Sequence, residues 1–124
     1  MQSKDYHPID IVAKFKLFND LWSPKVIGKM NDYLVKLGKV QGDFVWHKHD
    51  ETDELFIVNK GELRIDLREG AVVLKAGQMF IVPKGVEHRP HADQECEIIL
   101  FEPETTINTG DVRGEMTVET LEWI

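Results

Sequence analysis

The sequence predicts an all-β domain, either a barrel or a sandwich, that follows a short N-terminal helix. Short apolar runs are separated by glycines at nearly even intervals, at positions 61, 70, 77 and 85. Such spacing of short strands and turns is typical of barrels and sandwiches. Lys60–Gly61 and Glu69–Gly70 predict hairpin turns, because glycine accepts the positive φ that tight turns require. Besides an alternating run at 33–40, the predicted strands are 44–49, 55–58, 63–67, 71–74, 79–82 and 97–101.

The helix is predicted from about residue 9 to residue 21. Ile9, Val12 and Phe15 recur at nearly helical spacing, which places them on one face of a helix. Pro24 discourages continuation, because the residue before a proline is biased away from the helical conformation. We expect the aromatic side chains of this segment to pack in the core.

The length of 124 residues predicts one domain, with the barrel at about 26–103 and a C-terminal extension at 104–124. The extension is weakly patterned, but Val118, Leu121 and Trp123–Ile124 are apolar enough to dock on the domain or on a partner. Cys96 is the single cysteine, which excludes an internal disulfide and is compatible with a reducing compartment.

The charge balance argues against polyanionic partners. The chain has 15 basic and 22 acidic residues and a net charge of −7, so a general basic patch for nucleic acid or for an anionic membrane is not expected. No apolar run approaches the roughly 20 residues that a membrane span needs. The N-terminal residues 1–8 are polar and lack the apolar core of a signal peptide, so we expect a cytoplasmic protein.

Strand patterning predicts a homodimer. The run at 62–68 alternates, so that Leu63, Ile65 and Leu67 face the core while the intervening charged residues face water. The runs at 55–58 and 79–82 are instead apolar on both faces. A strand that is apolar on both faces needs both faces buried, and in a small domain one of the two faces is often buried against another subunit.

Three histidines and an acidic run carry the functional signal. His47 and His49 are two residues apart, so on an extended chain both imidazoles point to the same side. Glu54 follows a polar run that can turn the chain back, and His88 has to come from a third strand. Imidazole nitrogen and carboxylate oxygen are ligands that first-row divalent metals favour. The nearby carboxylates of Asp50, Glu51 and Asp53 are rivals of Glu54 that strand parity alone does not eliminate.

These residues resemble the two motifs of the cupin superfamily. His47, His49, Glu54 and Gly61 fit the first motif, in which Gly42 stands one residue later than usual. The second motif is matched by Gly77, Pro83, Gly85 and His88, and Ala92 replaces its final asparagine.

The resemblance covers about residues 40–103 and is strongest to small, single-domain bacterial cupins. It implies a double-stranded β-helix, also called a jelly-roll barrel. It also implies that His47, His49, Glu54 and His88 are the ligands of one divalent transition metal per chain, which can be Fe, Mn, Ni or Zn. By motif spacing it favours Glu54 over the rival carboxylates.

Two functions are compatible with such a site. The first is a metal-dependent enzyme, dioxygenase-like or isomerase-like, because four ligands leave two positions open on a six-coordinate metal. The alternative is a module that binds a small ligand without turnover, since the sequence shows no motif for a separate general base. The expected pocket lining is apolar, from Val45, Phe56, Met79 and Ile81.

Three further groups of residues are interpreted mainly as surface or core residues. His91 lies an odd number of residues from His88, so we expect it on the opposite face, in solvent or at the pocket rim. Arg64, Arg68 and Arg89 could meet an anionic substrate, but strand parity favours salt bridges in solvent or at an interface for the first two. Cys96 is expected to be a small core residue.

Overall fold

A computed structural model describes residues 6–124, and residues 1–5 of the polar N-terminal segment lie outside the described part. Within that range the chain forms one short helix and eight strands, so the predicted all-β class with a short N-terminal helix is confirmed. In chain order the elements are α1 (Ile11–Phe15), β1 (Lys25–Met30), β2 (Tyr33–Asp43), β3 (Glu54–Lys60), β4 (Glu62–Leu67), β5 (Gly70–Lys75), β6 (Met79–Val82), β7 (His88–Pro103) and β8 (Glu122–Trp123).

Strand β7 organises the sheet. Along one edge it pairs with β2 over nearly its whole length, from Tyr33 opposite Pro103 to Asp43 opposite His91. Along the other edge its first part pairs with β4 and its second part pairs with β3. Strand β5 pairs with the other edge of β4, and β6 pairs with the other edge of β3. The two parts of the sheet thus enclose a common core, which is composed of Val40, Phe56, Val58, Leu63, Ile65, Leu74, Val82, Ala92, Cys96, Ile98 and Leu100.

The predicted hairpin at Lys60–Gly61 is wrong. Strands β3 and β4 are consecutive in the chain, yet each pairs with β7 and not with the other. Gly61 has a φ of +92°, and a Cβ added there would lie 3.1 Å from the carbonyl oxygen of Glu95. Glycine is therefore needed for a close crossing over β7. The second predicted turn, at Glu69–Gly70, does form the β4–β5 hairpin, in which Leu67 pairs with Gly70.

The helix is much shorter than predicted. It spans Ile11–Phe15, where the side chain of Asp10 caps its start by accepting from the backbone N–H of Ala13. Ile9 and Val12 are exposed, while Phe15 and Phe18 are buried against Leu37 and Ile27 on the outer side of the sheet. The aromatic residues do pack in a core, but the chain leaves the helix to insert Phe18.

The predicted strand at 44–49 is also wrong, because only His47 makes a β-bridge there, with His88. Conversely, β7 is far longer than the predicted strand at 97–101. The predicted inward face of β4 is confirmed for Leu63 and Ile65, which have no solvent exposure. Cys96 is buried in the core, as predicted.

The C-terminal extension docks on the domain. Its short strand β8 pairs in parallel with β1, and Ile124 packs against the cluster that contains Phe15. Lys14 Nζ donates to the carbonyl oxygen of Ile124 at 2.7 Å. Trp123 is 59% exposed. Among the described residues, no helix is long and apolar enough to cross a membrane.

Candidate metal centre

Four polar side chains converge inside the barrel, although they come from three separate parts of the chain. His47 and His49 lie on the extended segment before β3, Glu54 is the first residue of β3, and His88 is the first residue of β7. All four are buried, with exposures of 9% or less. One donor atom from each residue lies within 4.8 Å of the others. This donor set can hold a metal ion.

Backbone pairing fixes two of the imidazoles. His47 and His88 exchange two backbone hydrogen bonds of 3.0 and 2.9 Å. Each ring also places Nδ1 2.9 Å from the carbonyl oxygen two residues earlier, that of Val45 or Val86. A nitrogen that faces a carbonyl oxygen carries the proton, which leaves Nε2 of each ring as the atom available to a metal in the interior. Such orientation of the ring by its other nitrogen is what metal-binding histidines require.

Two buried contacts in the centre fit a cation. Nε2 of His88 lies 3.2 Å from Glu54 Oε1, so a shared proton or a cation between the two atoms makes this contact favourable. Nε2 of His49 lies at the same distance from that oxygen, but it has no hydrogen-bond partner. A buried nitrogen without a partner carries a desolvation cost, which coordination to a metal removes. The donor chemistry and this orphaned atom both fit a first-row divalent ion.

Protonation states in the centre also suit a metal. Burial, with a smaller effect from the neighbouring His88, lowers the pKa of His47 from 6.5 to about 4. For Glu54 burial acts in the opposite direction, but the His49 and His88 imidazoles outweigh it and lower the pKa. At neutral pH His47 is therefore uncharged and Glu54 is ionised, and these are the forms that bind metals.

The rival carboxylates lie outside the centre. Asp53 is exposed, and its Oδ1 accepts a hydrogen bond from the backbone N–H of Lys84 at 2.8 Å. Asp50 is exposed and pairs with Lys48, and Glu51 is exposed as well. Among the acidic residues of this run, the structure thus brings only Glu54 to the three histidines.

An apolar cavity adjoins the centre, with His47 and Glu54 in its wall. Of the four predicted lining residues only Phe56 borders it, and the prediction is wrong for Val45, Met79 and Ile81. Met79 and Ile81 lie on the outer face of β6, where both are exposed. Besides Phe56, the cavity is lined mainly by Trp22, Pro24, Val40, Phe44, Pro90, Ile98 and Leu100.

Sequence reasoning missed a buried ion pair at the same cavity. Lys36 on β2 and Glu102 on β7 are each 1% exposed, and Lys36 Nζ donates to Glu102 Oε1 at 2.9 Å. Burial and the nearby charge of Glu54 raise the pKa of Glu102 well above its ordinary value. Strand parity could have indicated this pair. Lys36 lies two residues after the buried Leu34, and Glu102 lies two residues after the buried Leu100, so each shares the inward face of its strand.

The C-terminal extension also contributes to the site. Asp111 and Lys48 exchange two hydrogen bonds, because the N–H of Asp111 donates to the Lys48 carbonyl and Asp111 Oδ1 accepts from the Lys48 N–H. Lys48 stands between His47 and His49 in the chain. Asn108 from the same extension lines the cavity. The weakly patterned extension therefore supports the segment that carries two of the four donors.

The remaining residues of interest lie outside the cavity. His91 points away from His88, as predicted, and its two nitrogens lie 2.6 Å from Asp93 Oδ1 and from Asp43 Oδ1. Hydrogen bonds to Asp93 and then to Asp43 raise the pKa of His91. The three arginines form surface ion pairs, in which Arg64 and Arg89 contact Asp66 and Arg68 contacts Glu87.

Known proteins share this fold and part of this sequence. The uncharacterized protein YdbB of Bacillus subtilis (strain 168) is 45% identical over 64 residues, which cover 51% of this chain and 57% of that protein. The match therefore spans little more than half the length of that relative. A crystal structure of a cupin-2 domain containing protein from Shewanella frigidimarina NCIMB 400 has a TM-score of 0.77 and 54% identity, over 77% of this chain and 94% of that chain.

A more distant structure shows the fold alone. Hydroquinone 1,2-dioxygenase from Sphingomonas sp. TTNP3, with 4-hydroxybenzoate bound, has a TM-score of 0.62 and 17% identity over 71% of this chain and 69% of that chain. The model of the cupin domain family matches residues 33–102, which are more than half of the chain. Together with the Shewanella structure this confirms the expected fold, and the chain belongs to the cupin domain family.

Proposed function

We propose that this protein binds one divalent transition metal through His47, His49, Glu54 and His88 and is a metal-dependent enzyme that acts on a small organic molecule. The observation that carries the proposal is the convergence of four buried donor atoms within 4.8 Å at the wall of an apolar cavity. Fe, Mn, Ni and Zn all accept imidazole and carboxylate ligands.

The surroundings of the centre favour a catalytic role of the metal over a purely structural one. Three imidazoles and one carboxylate leave positions open on a six-coordinate ion, and a bound ion of this kind supplies Lewis-acid or electron-transfer chemistry. The carbonyl oxygens of Val45 and Val86 hold Nδ1 of His47 and His88 and leave Nε2 of each ring for the metal, and apolar walls exclude water. The Sphingomonas dioxygenase supports only the statement that this fold accommodates oxygenases, and an isomerase-like reaction uses the same parts.

Metal content tests the first half of the proposal. Elemental analysis of the purified or metal-supplemented protein should give close to one transition metal per chain. His47→Ala and His88→Ala should each abolish high-affinity binding, because each removes a donor. His91→Ala is the matched control, since its imidazole is held by Asp43 and Asp93 outside the cavity. Unchanged stoichiometry and affinity in both donor variants would refute the site.

Turnover tests the second half. Oxygen uptake and product formation by the Fe(II)-loaded protein should be measured with small acids, diols and phenols, and isomerisation with small carbohydrates. Turnover that is lost in His88→Ala supports the enzyme. Saturable binding of one of these compounds without product would instead assign the alternative function, a module that holds a small ligand.

We also propose that the protein is a homodimer in the cytoplasm. Strand β6 pairs only with β3 among the described strands, so its other edge has free backbone hydrogen-bonding groups. Met79 and Ile81 on its outer face are 56% and 47% exposed, beside the partly buried Leu55 and Ile57. Antiparallel pairing of two such edges closes a twofold dimer and covers both. The buried, unpaired Cys96 is compatible with a reducing compartment.

Light scattering tests the assembly. The mass should be near twice the chain's 14.3 kDa. Ile81→Lys should give a monomer, because it places a charge in the interface. Val73→Lys is the control, since Val73 is equally exposed but lies on β5. A monomeric wild type at micromolar concentration contradicts the dimer.

A further inference from the structure

The carboxyl group of Glu102 joins Lys36 to one of the candidate metal donors. Its Oε1 accepts a hydrogen bond of 2.9 Å from Lys36 Nζ, and no N–H group of the described residues donates to its buried Oε2. The same carboxyl group shares a hydrogen bond with Glu54. A buried chain of polar contacts therefore runs from Lys36 through Glu102 to Glu54. Glu54 Oε1 in turn lies 3.2 Å from Nε2 of both His49 and His88.

Strand register places the two carboxyl groups opposite each other. Leu55 on β3 pairs with Phe101 on β7. One step further along the same register, Glu54 stands opposite Glu102, and the two residues are 5% and 1% exposed. Residues that face each other across antiparallel strands have Cβ atoms about 5 Å apart, so their side chains can touch. The pairing of β7 with β3 thus fixes where Glu102 meets Glu54.

Fold stability alone does not account for this chain of contacts. Removing charged groups from water is costly, and apolar residues of similar volume often serve stability equally well or better. Two acidic residues directly opposite each other add repulsion unless a proton lies between them. Carboxylate oxygens only accept, so the hydrogen bond between the two carboxyl groups contains one proton. Whichever group carries that proton, the bond fixes Glu54 relative to Glu102, and Lys36 fixes Glu102.

We propose that Glu102, held in place by Lys36, is a positioning residue that orients the Glu54 carboxylate toward the metal. Glu102 is not among the four residues whose donor atoms converge within 4.8 Å, so it acts through Glu54 and not as a ligand. Groups that form hydrogen bonds with a ligating carboxylate set its orientation, and their loss typically lowers metal affinity about 10- to 100-fold. The inference rests on the proposed function, because it requires that a metal binds to Glu54.

The test is titration of the metal-free protein with Co(II), whose visible absorption reports both the affinity and the ligand geometry. The inner double variant Lys36→Met/Glu102→Leu leaves no unpaired charge at either position, and its Co(II) affinity should fall about tenfold or more. Glu102→Gln should stay near the wild-type affinity, because its amide group can donate to Glu54 while its carbonyl oxygen accepts from Lys36. The control Lys29→Met/Glu104→Leu removes an exposed ion pair of 2.8 Å and should bind Co(II) like the wild type.

Further variants separate positioning from a general effect on charge or on the fold. Glu102→Asp keeps the carboxyl group but shortens the side chain by one methylene, so it should bind Co(II) more weakly than Glu102→Gln. Leu74→Ala truncates a core residue of β5 that does not line the cavity, so it should lower the free energy of unfolding without a matching loss of Co(II) affinity. In a Glu54→Gln background, removal of Lys36 and Glu102 should cost less affinity than in the wild type, because the carboxylate that they orient is gone.

The single variants of Glu102 keep the proposal testable if the inner double variant does not fold. Wild-type Co(II) affinity in a folded inner variant would overturn it. So would tight binding by Glu102→Asp together with weak binding by Glu102→Gln, or an equal loss of affinity in the wild-type and Glu54→Gln backgrounds. Failure of the proposed function has a different signature. If the wild type binds no Co(II), both proposals fail, whereas binding through the four donors that no Glu102 variant changes refutes only this inference.

Discussion

Burial of His47 makes the stability of the metal-free protein depend on pH. Its pKa is about 4 in the folded protein and 6.5 for the ordinary side chain. Between these values the unfolded chain takes up a proton that the folded protein excludes, so stability falls as pH decreases through this window. At about 1.36 kcal/mol per pH unit, the full loss attributable to His47 is about 3 kcal/mol.

The assay is urea unfolding of chelator-treated protein at a series of pH values from 7.5 to 4.5 (values chosen to span about that window). The free energy of unfolding of the wild type should fall more steeply than that of His47→Gln, which lacks the titrating group. His91→Gln is a control of opposite sign. Because the folded pKa of His91 is raised, its contribution is present below the ordinary value and is lost as pH rises through the folded pKa.

Two results would refute this reasoning. Parallel pH profiles for the wild type and His47→Gln would show that burial does not depress the His47 pKa. An advantage of the wild type over His47→Gln that grows toward low pH would show that the sign is reversed. If the prediction holds, proton competition with a metal at His47 begins near pH 4 and not at the 6.5 of a free imidazole.

Three further predictions concern single substitutions. Glu54→Gln should weaken metal binding by more than about tenfold, because it removes the anionic donor, whereas Asp53→Asn should leave the titrated affinity unchanged; the reverse result would reassign the carboxylate. Gly61→Ala should lower the free energy of unfolding more than Gly77→Ala, since both glycines have positive φ but only Gly61 is crowded by β7, and equal losses in urea titrations would contradict this. Gly110→Ala should lower the free energy of unfolding by at least about 2 kcal/mol and also weaken metal binding, because the added Cβ would collide with the Lys48 carbonyl. A stable variant with unchanged metal affinity would contradict this prediction.

Local spacing explains why the candidate donors could be found from sequence. His47 and His49 point to the same side because the chain is extended there, and this holds although the predicted regular strand is absent. Glu54 was favoured over its rivals by the motif spacing, and its burial on β3 together with Phe56 and Val58 agrees with that choice. The histidine argument needs only the conformation of neighbouring residues, whereas the choice of Glu54 needs the motif.

Pairing between distant strands could not be predicted in this way. Lys60–Gly61 has the composition of a hairpin, but both flanking strands pair with β7, which is far away in sequence. Lys36 and Glu102 were overlooked for a related reason. Long charged side chains are seldom fully buried, and only the tertiary fold shows that these two contact each other inside the barrel.

The C-terminal extension lacks a hydrophobic period because hydrogen bonds made by its polar side chains hold it together. Asn108 bridges to Met116 and Val118, and the hydroxyl of the buried residue Thr109 forms a hydrogen bond with that of Thr117. Such contacts leave no periodic pattern for sequence analysis to detect. The extension nevertheless fixes Lys48 through two backbone contacts, and Lys48 separates the two histidines of the first motif. The position of His47 and His49 therefore depends on the part of the chain that sequence patterning describes least.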